Sequence, residues 1–218
     1  MEHISPDPSE SKRNTGRTRT FIPLTLSLLL VAAGGAFWQF SKDPSKPPIV
    51  FPPVACGGVA KGKTLSSLFP KSGDPYWESG KDFAQMEAQD SCLVSAGGFQ
   101  VEFNLHGYPP GGSVSENWVQ KEVRSSTSTK KTIFFGNAIG YANRESSRLY
   151  ADCKRQGRSL RVITVWVNYY NVPEERIPDG KREIFAKLAA EGLAYAAGPE
   201  GLDCEEGKDL ANATLSTG

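Results

Sequence analysis

The sequence predicts an α+β domain: an antiparallel sheet of about four to six strands with a long C-terminal helix packed on one face, preceded by one transmembrane helix. Three stretches carry this expectation. Across residues 99–106 the apolar Phe99, Val101, Phe103 and Leu105 alternate with Gln100, Glu102, Asn104 and His106, the period of a strand with one buried and one wet face. Residues 160–170, LRVITVWVNYY, set Leu160, Val162, Thr164 and Trp166 on one face and Ile163, Val165, Val167 and Tyr169 on the other. Both faces are largely apolar, so this strand is expected in the middle of the sheet, covered on at least one side. Over residues 179–197, Ile184, Phe185, Leu188, Gly192 and Tyr195 recur at helical spacing, with Asp179 as the expected N-cap and Gly198-Pro199 as the stop.

Taken in order, residues 1–20 are rich in Ser, Thr and Arg without an apolar period and read as a disordered tail. Residues 21–40, FIPLTLSLLLVAAGGAFWQF, carry no charge and match roughly the twenty residues a helix needs to cross about 30 Å of hydrocarbon. Lys12, Arg13, Arg17 and Arg19 precede the span and outnumber Lys42 and Lys46 after it, which places the tail in the cytoplasm and the C-terminal part outside. Phe37, Trp38 and Phe40 end the span as an interfacial cluster would. A cleaved signal peptide shares these basic and apolar regions, and Ala33, Gly34, Gly35 and Ala36 are small enough for cleavage. Both readings export the rest of the chain. Residues 41–55 contain Pro44, Pro47, Pro48, Pro52 and Pro53 and are expected as a stiff spacer, about 3.1 Å per residue where extended.

The outer domain, residues 56–206, is long enough for one core. A short helix at 64–69 is stopped by Pro70. Residues 71–80 read as a loop with Tyr76 and Trp77 as anchors or exposed aromatic contacts, and 82–89 fit no one element. Strands at 92–95 and 99–106 flank Ala96-Gly97-Gly98 as a hairpin. The turn YPPGGS at 108–113 ends it, a short helix follows at 114–123 with Trp118 inward, and 125–131 is a polar loop. A strand at 133–135, or a longer one reaching Tyr141, and another at 148–153 form a second antiparallel pair. Residues 207–218 are expected as a loose tail, and the chain has no internal repeat.

The balance of 25 basic and 24 acidic residues leaves a net charge of +1, so no global field favours nucleic acid or an acidic partner. All four cysteines, Cys56, Cys92, Cys153 and Cys204, follow the apolar span. An even number on the exported side favours disulfides, of which four cysteines allow three connectivities. Cys56–Cys92 is preferred because it would tie the end of the spacer to the first hairpin; Cys153–Cys204 would clip the last helix to the sheet. No CxxC pair occurs, and His3 and His106 lie on opposite sides of the span, so no Cys/His metal site is expected.

Residues 57–64, GGVAKGKT, match the phosphate-cradling pattern G-x-x-x-x-G-K-[ST] letter for letter. That pattern needs a buried strand before it, whereas FPPV at 51–54 carries two prolines where a central strand needs N–H groups. Nucleotides are also scarce outside the cell, so the stretch reads as a Gly/Lys-rich loop and no cofactor is expected. PVAC at 53–56 resembles a lipidation site but stands behind a polar linker, and Cys56 reads as a disulfide partner. His106 is the one exported histidine; a Ser/His/Asp triad would have to use it, yet no G-x-S-x-G elbow is present. Glu174-Glu175 and Asp203, Glu205 and Glu206 read as solvated charges. Lys121, Arg124, Lys130 and Lys131 form a modest basic surface without the aromatic interleaving of a nucleic-acid site.

Several short patterns carry a resemblance: Cys56-Gly57-Gly58 after a Pro-rich spacer, Cys92-Leu93-Val94 opening a hairpin, and Gly140-Tyr141 with Leu149-Tyr150-Ala151-Asp152-Cys153. Leu160-Arg161-Val162 and an Ala-rich last helix closing on Cys204 complete it. Over residues 54–206 the chain resembles the small membrane-tethered or secreted actinobacterial proteins of unknown function. It is also similar to actinobacterial lipoproteins with helix-on-sheet domains that serve as envelope adaptors, although it lacks their lipobox. The expectation is a non-enzymatic binding or interaction module in the cell envelope, on a single-pass anchor that meets the bilayer through residues 21–40. Its partner is an envelope protein or a small ligand and not nucleic acid, with Tyr76, Trp77, Tyr108 and Trp118 as contact residues. The competing readings are an envelope hydrolase using His106 and a purely structural envelope protein.

Overall fold

The computed structural model of the chain describes residues 46–80, 89–108, 116–125, 130–155, 158–177 and 179–218. The expected tail at 1–20, the anchor at 21–40 and the start of the spacer at 41–45 lie outside these residues, as do 82–88 and the turn at 109–113. Among the described residues no helix is long and apolar enough to cross a membrane.

The elements in chain order are β1 (Val54–Ala55), β2 (Ala60–Lys61), α1 (Gly62–Ser66), β3 (Trp77–Gly80), β4 (Gln89–Ala96), β5 (Phe99–Tyr108) and α2 (Glu116–Ser125). They continue with β6 (Lys131–Phe135), β7 (Ala138–Ala142), β8 (Ser146–Arg155), β9 (Arg158–Tyr169), α3 (Arg182–Ala197), α4 (Gly207–Ala211) and β10 (Leu215–Thr217). Strands β1 and β2 pair as a small hairpin of their own. The others form one eight-stranded antiparallel sheet in the order β10-β6-β7-β8-β9-β5-β4-β3. The fold is therefore α+β, as the alternation predicts, with β9 inside the sheet between β8 and β5.

The sheet has more strands than the expected four to six because both of its edges are short. β3 was expected as a loop and β10 as part of a loose tail. Neither stretch carries an alternating pattern of its own; each is held by the ladder of its neighbour, β3 by β4 and β10 by β6. The tail reading of 207–218 is corrected further by α4, whose Leu210 is fully buried.

The spacer reading is corrected as well for residues 46–55. Pro48 bridges Ser72, the Ile49 amide donates to the Lys71 carbonyl at 3.0 Å, and the Phe51 ring lies 5.4 Å from both Phe69 and Tyr76. Aromatic burial outweighs the preference of Pro-rich chain for a solvated, extended form. At the end of this segment Cys56, Gly57 and Gly58 take positive φ angles of 55°, 64° and 109°. The two glycines make that reversal cheap.

Helix α3 covers one face of the sheet, chiefly over β8 and β9. Phe185, Leu188, Ala189, Leu193 and Ala196 are buried there against Phe103, Leu149, Ile163, Val165 and Val167. Gly192 permits the close approach, since a Cβ at that position would stand 2.9 Å from Val165 Cγ1. The expected cap is corrected: the N-cap is Lys181, without a side-chain hydrogen bond, because Gly180 at φ 77° turns the chain between Asp179 and the helix. Helix α2 sits on the opposite face, where Val119 and Val123 bury Tyr141 and Tyr150 in a second, smaller cluster.

Both preferred disulfides are present, Cys56–Cys92 and Cys153–Cys204. They point to an oxidising, extracytoplasmic setting for the domain.

Under α3, the Tyr169 hydroxyl donates to the Leu68 carbonyl at 2.9 Å, and its ring meets Phe185 edge-on at 5.1 Å. Burial pushes the Tyr169 phenol up to about 12 from its ordinary 10. A proton held more tightly in the folded state stabilises fully below pH 10, and that contribution disappears as pH rises through about 12. Stability measured by urea unfolding should therefore fall across this window, and Tyr169→Phe should flatten the fall while costing about 1 kcal/mol at neutral pH. An unchanged alkaline slope in the variant would remove Tyr169 from the account.

Candidate functional site

Alternation sends the polar half of each central strand to the face opposite α3. β5 contributes Glu102, Asn104, His106 and Tyr108; β9 contributes Thr164, Trp166 and Asn168; β8 contributes Ser146, Arg148, Tyr150 and Asp152. Register then decides which of these meet. Thr164 pairs with Tyr150 on one side and His106 on the other, while Trp166 lies between Arg148 and Asn104.

The centre of this face is Arg148. Its guanidinium carbon lies 5.2 Å from the centre of the Tyr150 ring and 5.6 Å from that of Trp166, so two aromatic faces flank the cation. Trp118 of α2 meets Tyr150 edge-on at 5.9 Å, and His106 stacks on Tyr108 at 6.2 Å with 14° between the rings. Lys130 Nζ stands 3.9 Å above Tyr141 at the α2 end of the face. Beside Tyr150 opens a cavity of about 300 Å³, lined by Val119, Gln120, Phe134, Ile139, Tyr150 and Asp152 among others.

Polar atoms at this centre are buried without hydrogen-bond partners. Among the described residues the Tyr150 hydroxyl, Thr164 Oγ1, Arg148 Nε and Asn168 Oδ1 all lack one, although Tyr150 is only 2% exposed and Thr164 not at all. Such atoms are destabilising where they stand. Burial raises the Tyr150 phenol well above its ordinary range, against the smaller opposing pull of the Arg148 charge. Burial lowers the His106 imidazole, helped by the same charge, so the ring is neutral at pH 7. Among the described residues the centre of the face thus presents the Arg148 cation, two hydroxyls and several ring faces.

The four expected contact residues divide. Tyr108 and Trp118 come to this face, both acting on Tyr150. Tyr76 instead braces the first disulfide: it packs on Phe51, its hydroxyl donates to Glu78, and Glu78 accepts the Cys56 amide at 2.9 Å. Trp77 is 54% exposed on the edge strand β3, opposite Ser95 and apart from the Arg148 cluster. Sequence reasoning missed Arg148, Tyr150 and Trp166 as site residues. The signal was the alternation in β8, which opposes Arg148, Tyr150 and Asp152 to Leu149, Ala151 and Cys153.

Two other arrangements have structural explanations. Residues 57–64, the phosphate-loop match, dock on α3: the Lys61 amide and the Thr64 hydroxyl donate to the two carboxylate oxygens of Glu191 at 3.0 and 2.8 Å. A Cβ on Gly62 would stand 1.7 Å from the Pro52 carbonyl oxygen, so that glycine serves chain packing. Cys56, Glu78 and Cys92 bring potential ligand atoms within 4.8 Å of one another, but both sulfurs are committed to the disulfide.

No family model, curated protein or solved structure matches the chain.

Proposed function

We propose that this protein is a non-enzymatic binding module of the cell envelope, held at the membrane by residues 21–40, and that its contact surface is the sheet face around Arg148. The observation that carries this reading is the grouping of unpartnered buried polar atoms with aromatic rings, since a binding site presents a few convergent polar groups within apolar walls. The two disulfides and the apolar N-terminal span support the location. The resemblance to small actinobacterial envelope proteins agrees with it.

The test compares immobilised full-length protein with its Trp166→Ala variant, each exposed to a solubilised envelope fraction. Trp166 is 38% exposed, so its truncation should leave the fold intact. A component retained by the native chain and lost by the variant is the expected result; identical retention profiles refute the assignment of this face.

A further inference from the structure

We infer that the ligand of this face is a monoanionic organic carboxylate with a flat apolar body, its anion held by Arg148, Tyr150 and Thr164 and its body laid along Trp166. The inference rests on the binding reading above and adds the chemical class of what is bound.

Four of the buried atoms without partners fall in one contiguous patch. Tyr150 and Thr164 are directly opposed across β8 and β9, Arg148 is the next residue on that face of β8, and Asn168 lies beyond Trp166 on β9. Three of the four groups can donate: a guanidinium N–H and two hydroxyls. The fourth, Asn168 Oδ1, is an acceptor and lies beyond Trp166; the three groups around Arg148 and Tyr150 can all donate to an anion. Arg148 is a planar fork suited to two-point recognition of a carboxylate. The ion pairs among the described residues belong to Arg144, with Glu145 and Glu174, and none of them engages Arg148.

Charge sets the limit on the ligand. His106 contributes no positive charge at neutral pH, and burial keeps the Tyr150 phenol protonated. Among the described residues Arg148 is thus the cation at the centre of the patch, while Glu102 and Asp152 share the face and Glu122 acts on Tyr150 from α2. One cation among these carboxylates can offset a single negative charge at most, whereas a phosphate dianion would meet surplus repulsion. Shape sets the rest. Trp166 is partly exposed beside the guanidinium, and the His106–Tyr108 stack lies on the next strand, so a planar body finds ring faces next to its carboxylate.

Isothermal titration of the full-length protein with 2-naphthoate, its neutral isostere 2-naphthamide and 2-naphthyl phosphate tests this. Naphthoate should bind about tenfold or more tightly than the amide, as charge-assisted hydrogen bonds imply, and more tightly than the phosphate. Arg148→Gln should abolish the preference over the amide. Arg148→Lys should recover only part of it, and Tyr150→Phe should weaken naphthoate alone. A measurement on the unmodified chain guards against a variant that does not fold: naphthoate should shift the Arg148 Nε–H resonance, and the amide should not. Equal affinity for acid and amide, a preference that survives Arg148→Gln, tighter binding of the phosphate, or no naphthoate binding up to its solubility limit would each overturn the assignment. If acid and amide bind equally and Trp166→Ala abolishes both, the contact face stands and the anion falls. If neither binds and the envelope fraction is retained equally by both chains, the contact face falls too.

Discussion

Replacing Cys153 and Cys204 together with serine should lower the unfolding free energy by about 4 kcal/mol, as the chain-entropy account gives for a loop of this length. The bridge spans 51 residues and joins β8 to the segment just after α3. Without it, the same ends are still held by two hydrogen bonds, Glu205 amide to Lys154 carbonyl at 2.7 Å and Lys154 amide to the Glu206 carboxylate at 2.9 Å. The native geometry should therefore persist in the variant. The loss falls on the unfolded ensemble, which regains the freedom the crosslink had removed. Urea unfolding should show a lower midpoint under non-reducing conditions, and native-state hydrogen exchange should rise throughout α3. A change in unfolding free energy below about 1 kcal/mol would mean that the unfolded chain already keeps these ends together.

Phe185→Ala should cost about 3–5 kcal/mol, the range for truncating a fully buried aromatic side chain. Phe185 is 0% exposed, meets Tyr169 edge-on at 5.1 Å, and its own carbonyl accepts the Ser147 hydroxyl at 2.6 Å. The side chain thus lies where helix α3 crosses two adjacent strands, with rigid neighbours unable to close the void. Phe185→Leu, which retains most of the volume, should cost under about 1.5 kcal/mol. Similar losses for Ala and Leu would show that the site collapses freely and that the helix is not seated as described.

Strands β5 and β9 were legible because alternation over eight or more residues identifies both an element and its faces. Helix α3 was legible for the same reason at its own period, and the preferred cysteine pairing agreed with the observed bridges. Trp77–Gly80 and Leu215–Thr217 escaped because so short a run, with Ser and Gly among its residues, has no period to read; ladder partners supply their conformation. Residues 46–55 misled through their prolines, since the packing of Phe51 on Phe69 and Tyr76 is a tertiary fact. The candidate site was half visible. Tyr108 and Trp118 stand out as aromatics near turns, but Arg148 acquires its meaning only from Trp166 and Tyr150, and pairing β8 with β9 at that register is not written in either strand alone. Tyr76 shows the converse, an aromatic that looked like a contact residue and supports the chain around Cys56.

The cysteines pair in the order they occur, first with second and third with fourth, 36 and 51 residues apart. For a chain that emerges into an oxidising compartment from its N-terminal side, each cysteine meets its correct mate before any competitor arrives. Cys56 and Cys92 can close while Cys153 is still behind the translocation channel. Maturation along this route calls for an oxidant and makes no demand on an isomerase, because no wrong bridge has to be undone.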